Sequence, residues 1–259
     1  MKKHLSIIKI GGNVINSETE LDSFLADFAQ LQGLKILVHG GGRKATEIAD
    51  SMGLEPKMIG GRRVTDQANL EVVTMVYAGL LNKSIVAKLQ SKACNALGLS
   101  GADANVIKAH KRIVKEIDYG FAGDIDEVES KTISLFLNAG ITPVFSAITH
   151  NKQGQLLNTN ADTIAAEVAK GLSADFEVEL IYCFEKNGVL KDVEDDASVI
   201  ENINSETYAF LKSEGVINEG MLPKLENCFN SLQNGVDRVI IGKTELIRDR
   251  TIKHTMLTL

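Results

Sequence analysis

The sequence predicts an α/β protein, a three-layer αβα sandwich around a mainly parallel, open sheet that two lobes share. Short apolar segments rich in branched residues alternate with amphipathic helical stretches, as in repeated β-α-β units. The first two apolar segments each end in a cluster of glycines. Of the 259 residues, 44% are hydrophobic, which is enough to bury a substantial core.

The first β-α-β unit lies at the start of the chain. Residues 5–10 are predicted as a buried strand because branched apolar residues dominate up to Gly11 and Gly12. Leucine and phenylalanine at helical spacing predict a helix over 18–32, and residues 35–39 read as the next strand.

The same alternation continues to the end of the chain. Further helices are predicted over 67–90, 130–138, 161–170 and 221–233, and another begins at 204. Strands are predicted over 177–184 and 238–241, and surface hairpins around 108–114 and 147–157. With only three prolines and no Ser/Gly linker, the two lobes should share one continuous sheet. The boundary is predicted near residue 172, giving lobes 1–172 and 173–259.

Composition and charge exclude several classes of function. The net charge of -6 comes from interspersed charges without a basic block, which argues against a nucleic-acid or membrane partner. Cys94, Cys183 and Cys228 are far apart, so neither a disulfide framework nor a zinc site is indicated. No signal-peptide core and no apolar stretch of membrane-span length is expected, and we predict a cytoplasmic protein.

The two glycine clusters, 11–12 and 40–42, lie where parallel strands end, which is the ligand-binding edge of open α/β sheets. Glycine lets the backbone approach a phosphate or carboxylate closely, although either cluster alone is as often a simple turn. Neither a Walker P-loop nor a dinucleotide-binding G-x-G-x-x-G is present. Lys9 interrupts the first strand just before its glycines, so it is either paired in a polar cleft or a solvated strand end.

Motifs along nearly the whole chain resemble the amino acid kinase family, and within it the acetylglutamate kinases. The segments that carry the resemblance are 9–12 (KIGG), 38–42 (VHGGG), 61–65 (GRRVT), 82–83 (NK), 98–101 (GLSG), 157–162 (LNTNAD), 188–190 (GVL) and 219–224 (EGMLPK). The resemblance implies that lobe 1–172 binds N-acetyl-L-glutamate and lobe 173–259 binds ATP, with Mg²⁺ carried with the nucleotide.

The resemblance also implies a role for each matching residue. Lys9 and Lys224 would neutralise charge on the transferring phosphoryl group, and Asp162 would hold both lysines in place. The implied substrate-binding residues are Gly41, Gly42, Arg63 and Asn158. The implied nucleotide-binding residues are Gly11, Gly12, Glu185, Lys186, Asn187, Gly188, Val189, Leu190, Val216, Ile217 and Asn218, with Glu185 standing where many relatives carry aspartate.

The chemistry agrees with this short set of residues. A glutamate γ-carboxylate, with an unperturbed pKa of about 4.3, is already ionised near neutrality and needs no general base. Phosphoryl transfer then depends on alignment and charge stabilisation. Asp162 also has a simpler interpretation, because it lies at the start of a predicted helix and could serve only near the helix N-terminus.

The sequence leaves open both the identity of the substrate and whether the protein is an enzyme at all. The substrate could be another N-acyl glutamate such as N-succinylglutamate, since the acyl group lies at the far end of the pocket, and aspartate, carbamate and nucleoside monophosphates are further candidates. The chain could also be a non-catalytic binding module of the same fold. Arginine-inhibited members of the family resemble hexamers held by an additional N-terminal helix, whereas here a strand starts within the opening residues. We therefore predict a homodimer that is insensitive to arginine.

Overall fold

The computed structural model describes residues 2–60, 62–217 and 221–259. Its strands are β1 (Lys3–Ile10), β2 (Leu34–His39), β3 (Met58–Ile59), β4 (Arg62–Arg63), β5 (Ala96–Leu99), β6 (Ile107–Lys111), β7 (Gly123–Val128), β8 (Thr142–Phe145), β9 (Ile148–His150), β10 (Leu156–Asn158), β11 (Phe176–Cys183), β12 (Asn202–Ile203), β13 (Arg238–Gly242) and β14 (Thr255–Leu257). Its α-helices are α1 (Gly12–Asn16), α2 (Glu18–Gln30), α3 (Gly42–Ser51), α4 (Gln67–Val73), α5 (Asn82–Gln90), α6 (Ser130–Asn138), α7 (Ala161–Leu172), α8 (Ser205–Ser213) and α9 (Leu222–Gln233). Thr74–Leu81 is π-helical, and Asp103–Asn105 and Thr244–Ile247 are short 3₁₀ turns.

The main sheet has eight strands in the order β12-β14-β13-β11-β1-β2-β8-β5. All neighbouring strands in it run parallel except β13 and β14. The central strand β1 pairs with β11 on one side and β2 on the other. Strands from both sides of residue 172 therefore belong to one sheet, as the sequence predicted.

Hydrophobic clusters cover both faces of this sheet, which confirms the predicted three-layer sandwich. Alternation along β1 places Ile7 in a cluster with Ile164 of α7, and Ile8 in a second cluster with Phe24 of α2. All three isoleucines are fully buried. The continuous apolar run in β1 reflects this burial on two faces.

A second sheet of four strands, in the order β10-β9-β6-β7, lies outside the main sheet. The predicted hairpin around 147–157 is confirmed as β9 and β10. The stretch around 108–114 does not close on itself, because β6 pairs with the later strand β7. Turn residues indicated reversals of the chain here, but they did not indicate which strand would be the partner.

The predicted helix over 67–90 is continuous through α4, the π-helical turns and α5. Our expectation that no apolar stretch reaches the length of a membrane span is wrong, because this helix is long and apolar enough by length and composition alone. Its side chains Val73 and Ile85 are fully buried in the protein. A core helix passes the same test, so the feature does not indicate a membrane protein.

Candidate active site

A partly buried ion pair lies at the carboxyl end of the central strand. Period-two alternation places Lys9 on the face of β1 that α7 covers, and α7 begins just before Asp162. The distance from Lys9 Nζ to Asp162 Oδ1 is 2.7 Å. The sequence left open whether Lys9 is paired in a polar cleft or solvated at the strand end. Because Lys9 is only 8% exposed and is paired, the first alternative is correct.

Asn160 caps helix α7, and this decides between the two roles considered for Asp162. The Asn160 side-chain oxygen accepts hydrogen bonds from the backbone N–H groups of Asp162 and Thr163, at 2.8 and 3.2 Å. The Asp162 carboxylate is thereby left to pair with Lys9. The expected second pairing, between Asp162 and Lys224, is not among the contacts of the described residues and stays a prediction.

Two cavities meet at this ion pair. The first, of about 230 Å³, is lined by Lys9, Gly11, Gly12, Gly40, Gly41, Gly42, Met58, Arg62, Arg63, Tyr77, Arg112, Tyr119, Ala122, Gly123, Ala147, Asn158, Thr159, Asn160, Ala161 and Asp162. The second, of about 570 Å³, is lined by Lys9, Gly11, Gly12, Asn13, Val14, Glu20, Asp162, Cys183, Phe184, Glu185, Lys224, Lys243, Thr244 and Glu245. The ion pair and the first glycine loop form their common wall.

The second glycine loop requires glycine at Gly41 for two reasons. Its φ of 151° is a conformation that other residues rarely adopt. A Cβ at this position would overlap Leu81 Cδ1 and lie 3.1 Å from Tyr77 Cδ1. Because no side chain stands there, the backbone at the start of α3 borders the first cavity directly.

His39 supports this loop from inside the protein. It is fully buried, and desolvation lowers its pKa from 6.5 to about 4, so the ring is neutral near pH 7. Gly40 O can only accept a hydrogen bond, so Nδ1 donates to it at 2.8 Å. Nε2 then accepts from the Asn82 amide at 3.1 Å. The neutral ring thus joins the loop to helix α5.

Arg63 is fixed in the wall of the first cavity and is 7% exposed. One terminal nitrogen donates to Gly42 O at 3.0 Å and to Thr46 Oγ1 at 2.6 Å, and the other to Asn69 Oδ1 at 3.5 Å. Its Nε is buried without a hydrogen-bond partner in the part of the chain that the structure describes.

Asn158 lies across the same cavity at the end of β10. Its side-chain amide donates to Thr65 Oγ1 at 2.9 Å, and its backbone N–H donates to Phe121 O at 2.9 Å. The four predicted substrate-binding residues, Gly41, Gly42, Arg63 and Asn158, therefore all line one cavity.

Lys224 lies in the second cavity on the first turn of α9. Its side-chain nitrogen is 4.5 Å from the centroid of the Phe184 ring, and that of Lys9 is 5.8 Å from the same centroid. The two lysines, which are 215 positions apart in the sequence, thus meet over one aromatic ring. Lys224 is exposed, in contrast to Lys9.

The predicted nucleotide-binding residues are placed less uniformly. Gly11, Gly12 and Glu185 line the second cavity. Lys186 is exposed and pairs with Asp196 at 2.7 Å. The other described members, which line neither cavity, are Asn187, Gly188, Val189, Leu190, Val216 and Ile217, and of these Val189, Leu190 and Ile217 are buried in the core. Asn218 lies outside the described residues, and the binding roles stay predictions.

Several lining residues were missed by the sequence analysis. Lys243, Thr244 and Glu245 follow directly after β13, so the strand-end rule that identified the glycine clusters could have identified them as well. Phe184 follows β11 in the same way. Tyr77, Arg112 and Tyr119 reach the first cavity from a helix and from the region between β6 and β7, and no local signal marks them.

A third cavity, of about 550 Å³, adjoins the first and shares Arg62, Arg112 and Tyr119 with it. The Arg112 Nε lies 3.1 Å from both carboxylate oxygens of Asp124. Hydrogen bonds from Arg112 lower the pKa of Asp124. His110, Lys115 and Glu116 also line this space, so with Asp124 its wall carries charges of both signs.

The described residues contain no group of three or more His, Cys, Asp or Glu side chains able to hold a metal ion. Carboxylates of Glu20, Asp162, Glu185 and Glu245 do line the second cavity singly.

Comparison with known proteins identifies the relatives of this chain. The model of the amino acid kinase family matches residues 5–243. Acetylglutamate kinase of Bacteroides fragilis is 55% identical over 241 residues, which is 93% of this chain and 92% of that protein. Acetylglutamate kinase of Cytophaga hutchinsonii is 56% identical over 242 residues, with the same two shares.

Solved structures share the fold. The crystal structure of smu.665 from Streptococcus mutans matches with a TM-score of 0.76 and 27% identity, covering 98% of each chain. Carbamate kinase from Giardia lamblia bound to AMP-PNP matches with a TM-score of 0.70 over 99% of this chain and 98% of that one, at 14% identity, and so shows the fold alone. With its motifs, its sheet and its relatives in agreement, this chain belongs to the amino acid kinase family.

Proposed function

We propose that this protein transfers the γ-phosphoryl group of ATP to the γ-carboxylate of N-acetyl-L-glutamate, a step that would serve arginine biosynthesis. The observation that carries the proposal is the Lys9–Asp162 pair, which stands where two cavities meet. One cavity carries a buried arginine for an acidic substrate, and the other carries Lys224. The names of relatives more than half identical support the choice of substrate.

The first cavity would bind the amino acid. Arg63 is already oriented by three hydrogen bonds in the wall of this cavity, and its positive charge suits the α-carboxylate. Asn158 and the backbone at Gly41 and Gly42 would hold the remaining polar groups. Every residue lining this cavity precedes 172, whereas residues 183–245 line only the second, which supports lobes 1–172 and 173–259.

In the reaction, an oxygen of the ionised γ-carboxylate forms a bond to the γ-phosphorus of ATP, and the bond to the bridging oxygen breaks to release ADP. No proton has to move. Lys9 and Lys224 would stabilise the charge that spreads over the phosphoryl oxygens, with the first glycine loop contributing backbone N–H groups. Asp162 acts as an organiser, because its pairing holds the Lys9 ammonium at the cavity junction.

We further propose that Mg²⁺ enters with the nucleotide. Mg²⁺ keeps several waters and is held mainly by substrate phosphates with one or two carboxylates. The second cavity offers single carboxylates and not a cluster of three among the described side chains, which fits this arrangement.

N-succinylglutamate is a second candidate substrate, favoured by the third cavity. Arg62 and Arg112 line both this space and the first cavity, so an acyl chain extending past Tyr119 would meet two guanidinium groups, of which that of Arg112 is already paired with Asp124. An acetyl group brings no charge to that wall, whereas a succinyl group would bring a carboxylate.

One assay series tests both substrates. Turnover with ATP and Mg²⁺ is measured for acetylglutamate, succinylglutamate, aspartate and carbamate. We expect the highest kcat/KM with an N-acyl glutamate. Arg62→Gln should lower kcat/KM about tenfold for succinylglutamate and leave acetylglutamate nearly unchanged if the succinyl group uses the third cavity. Turnover of none of the four compounds would refute the kinase proposal.

We propose that the enzyme is a cytoplasmic homodimer that is insensitive to arginine and binds small molecules, not nucleic acid or membrane. Met75 and Leu80, more than half exposed on the 67–90 helix, support a protein partner on this face. Sedimentation should give the mass of two chains. A hexamer, or inhibition by submillimolar arginine, would contradict the proposal.

A further inference from the structure

We propose that Phe184 is a positioning residue for the two lysines, an aromatic platform that holds both ammonium groups at the phosphoryl-transfer centre. The proposal rests on the proposed function. Both nitrogens lie within cation–π range of the ring centroid, Lys224 at 4.5 Å and Lys9 at 5.8 Å. The ring lines the second cavity beside the Lys9–Asp162 pair.

The ring itself is held firmly. It stacks on Tyr182, with centroids 6.0 Å apart and planes 6° apart. The Tyr182 hydroxyl donates to the backbone oxygen of Asp162 at 3.2 Å, and the Phe184 N–H donates to Gly242 O at 2.7 Å. The platform is therefore tied both to the helix that carries Asp162 and to the neighbouring strand β13.

Two like charges directed at one centre repel each other until phosphate arrives. The negative face of an aromatic ring attracts a cation without adding a formal charge that would repel the phosphates. A carboxylate in place of the ring would hold the lysines more strongly, but it would oppose ATP. A lysine ammonium can rest one side on the ring while its other N–H groups donate to phosphoryl oxygens. The ring thus keeps both lysines aligned through the reaction.

The test replaces Phe184 with phenylalanine carrying one, two or three fluorines, which weakens the negative face while nearly preserving shape. We expect kcat to fall stepwise, to about one tenth for the trifluoro ring, with KM for either substrate changed less than about twofold. The same substitutions at Phe210, an exposed phenylalanine on α8, provide the matched control and should leave kcat unchanged. A ring that acts only by packing predicts an unchanged kcat at Phe184 too, and that result would overturn the proposal.

Coupling to Lys224 gives a second measurement. In a Lys224→Met background, one cation no longer lies over the ring, so trifluoro substitution should lower kcat by clearly less than the tenfold seen in the native background. Equal losses in the two backgrounds would overturn the role assigned to the ring. Native enzyme without turnover on any acyl glutamate would overturn the proposed function as well, whereas an active enzyme with a flat fluorine series would overturn this inference alone.

Discussion

The two cavities differ in how their functional side chains are held. In the first, Arg63 is nearly buried and bound by three hydrogen bonds, and buried His39 supports the adjoining loop. In the second, Lys224 and Glu185 are exposed side chains. The amino-acid side is thus part of the folded core, while the nucleotide side is a surface built where strands end.

Because of this difference, mutations in the two cavities should have different effects on stability and activity. A residue on the first side contributes to folding and to binding together, so its replacement should change both the free energy of unfolding and KM. An exposed residue on the second side can be replaced with little loss of stability, so its effect should appear in turnover.

Lys224→Ala should produce the largest effect. Charge on the transferring group increases towards the transition state, so kcat should fall by about 100-fold to 1,000-fold while KM for ATP changes much less. Because the side chain is exposed, the free energy of unfolding should change by less than about 0.5 kcal/mol. Steady-state kinetics and urea unfolding measure the two quantities. Lys212→Ala, an exposed lysine paired with Glu226, is the control and should retain native turnover. Unchanged kcat in Lys224→Ala would remove this lysine from the mechanism.

Gly41→Ala tests the opposite case, a position on the first side. Strain from its φ of 151° and overlap with Leu81 should together lower the free energy of unfolding by about 3 kcal/mol. Gly33→Ala is the matched control, because its φ is also positive, at 88°, but nothing lies within 4 Å of the added methyl group. It should cost about 1 kcal/mol. Equal losses from the two substitutions in urea unfolding would show that the close contact does not matter.

The strands and the glycine loops were predictable from the sequence because their signals are local. A run of branched apolar residues that ends in glycine predicts a buried strand, and this pattern predicted β1. Lys9 was conspicuous as a charged residue inside that run. The pairing partner of β6 was not predictable, since strand pairing depends on contacts between residues far apart in sequence.

In the candidate site, too, residues with a local sequence signal were predictable and contacts between distant residues were not. Motifs placed Arg63 and Asn158, and both line the predicted cavity. The strand-end rule could have marked Phe184 as a lining residue, but only the folded chain shows that two lysines lie near its ring. Asn160 directly precedes a predicted helix and is of a residue type that caps helices, so its role could have been predicted although it was not named.

His39 predicts a pH-dependent stability for the first side. Its pKa is about 4 in the folded protein and 6.5 when exposed, so the unfolded chain binds the extra proton between these values. Stability is therefore fully present above about pH 6.5 and is lost as the pH falls towards 4, by about 2 kcal/mol between pH 7.5 and pH 5. Urea unfolding of the native protein and of His39→Gln should differ by this slope. Identical pH profiles would show that His39 is not held neutral in the fold.

Arg63→Lys should give the smallest effect and combine both kinds of change. Lysine keeps the positive charge but loses the planar fork, so it cannot hold Gly42, Thr46 and Asn69 together and keep its charge in the same place in the cavity wall. KM for the N-acyl glutamate should rise about tenfold while KM for ATP stays within about twofold, and unfolding should become easier by about 1 kcal/mol. Arg248→Lys, at an exposed arginine that lines neither cavity, is the control and should leave acetylglutamate binding and stability nearly unchanged. A raised KM without any loss of stability would mean that Arg63 binds substrate but is not held by the fold, and the contrast between the two cavities would then fail at the residue on which it most depends.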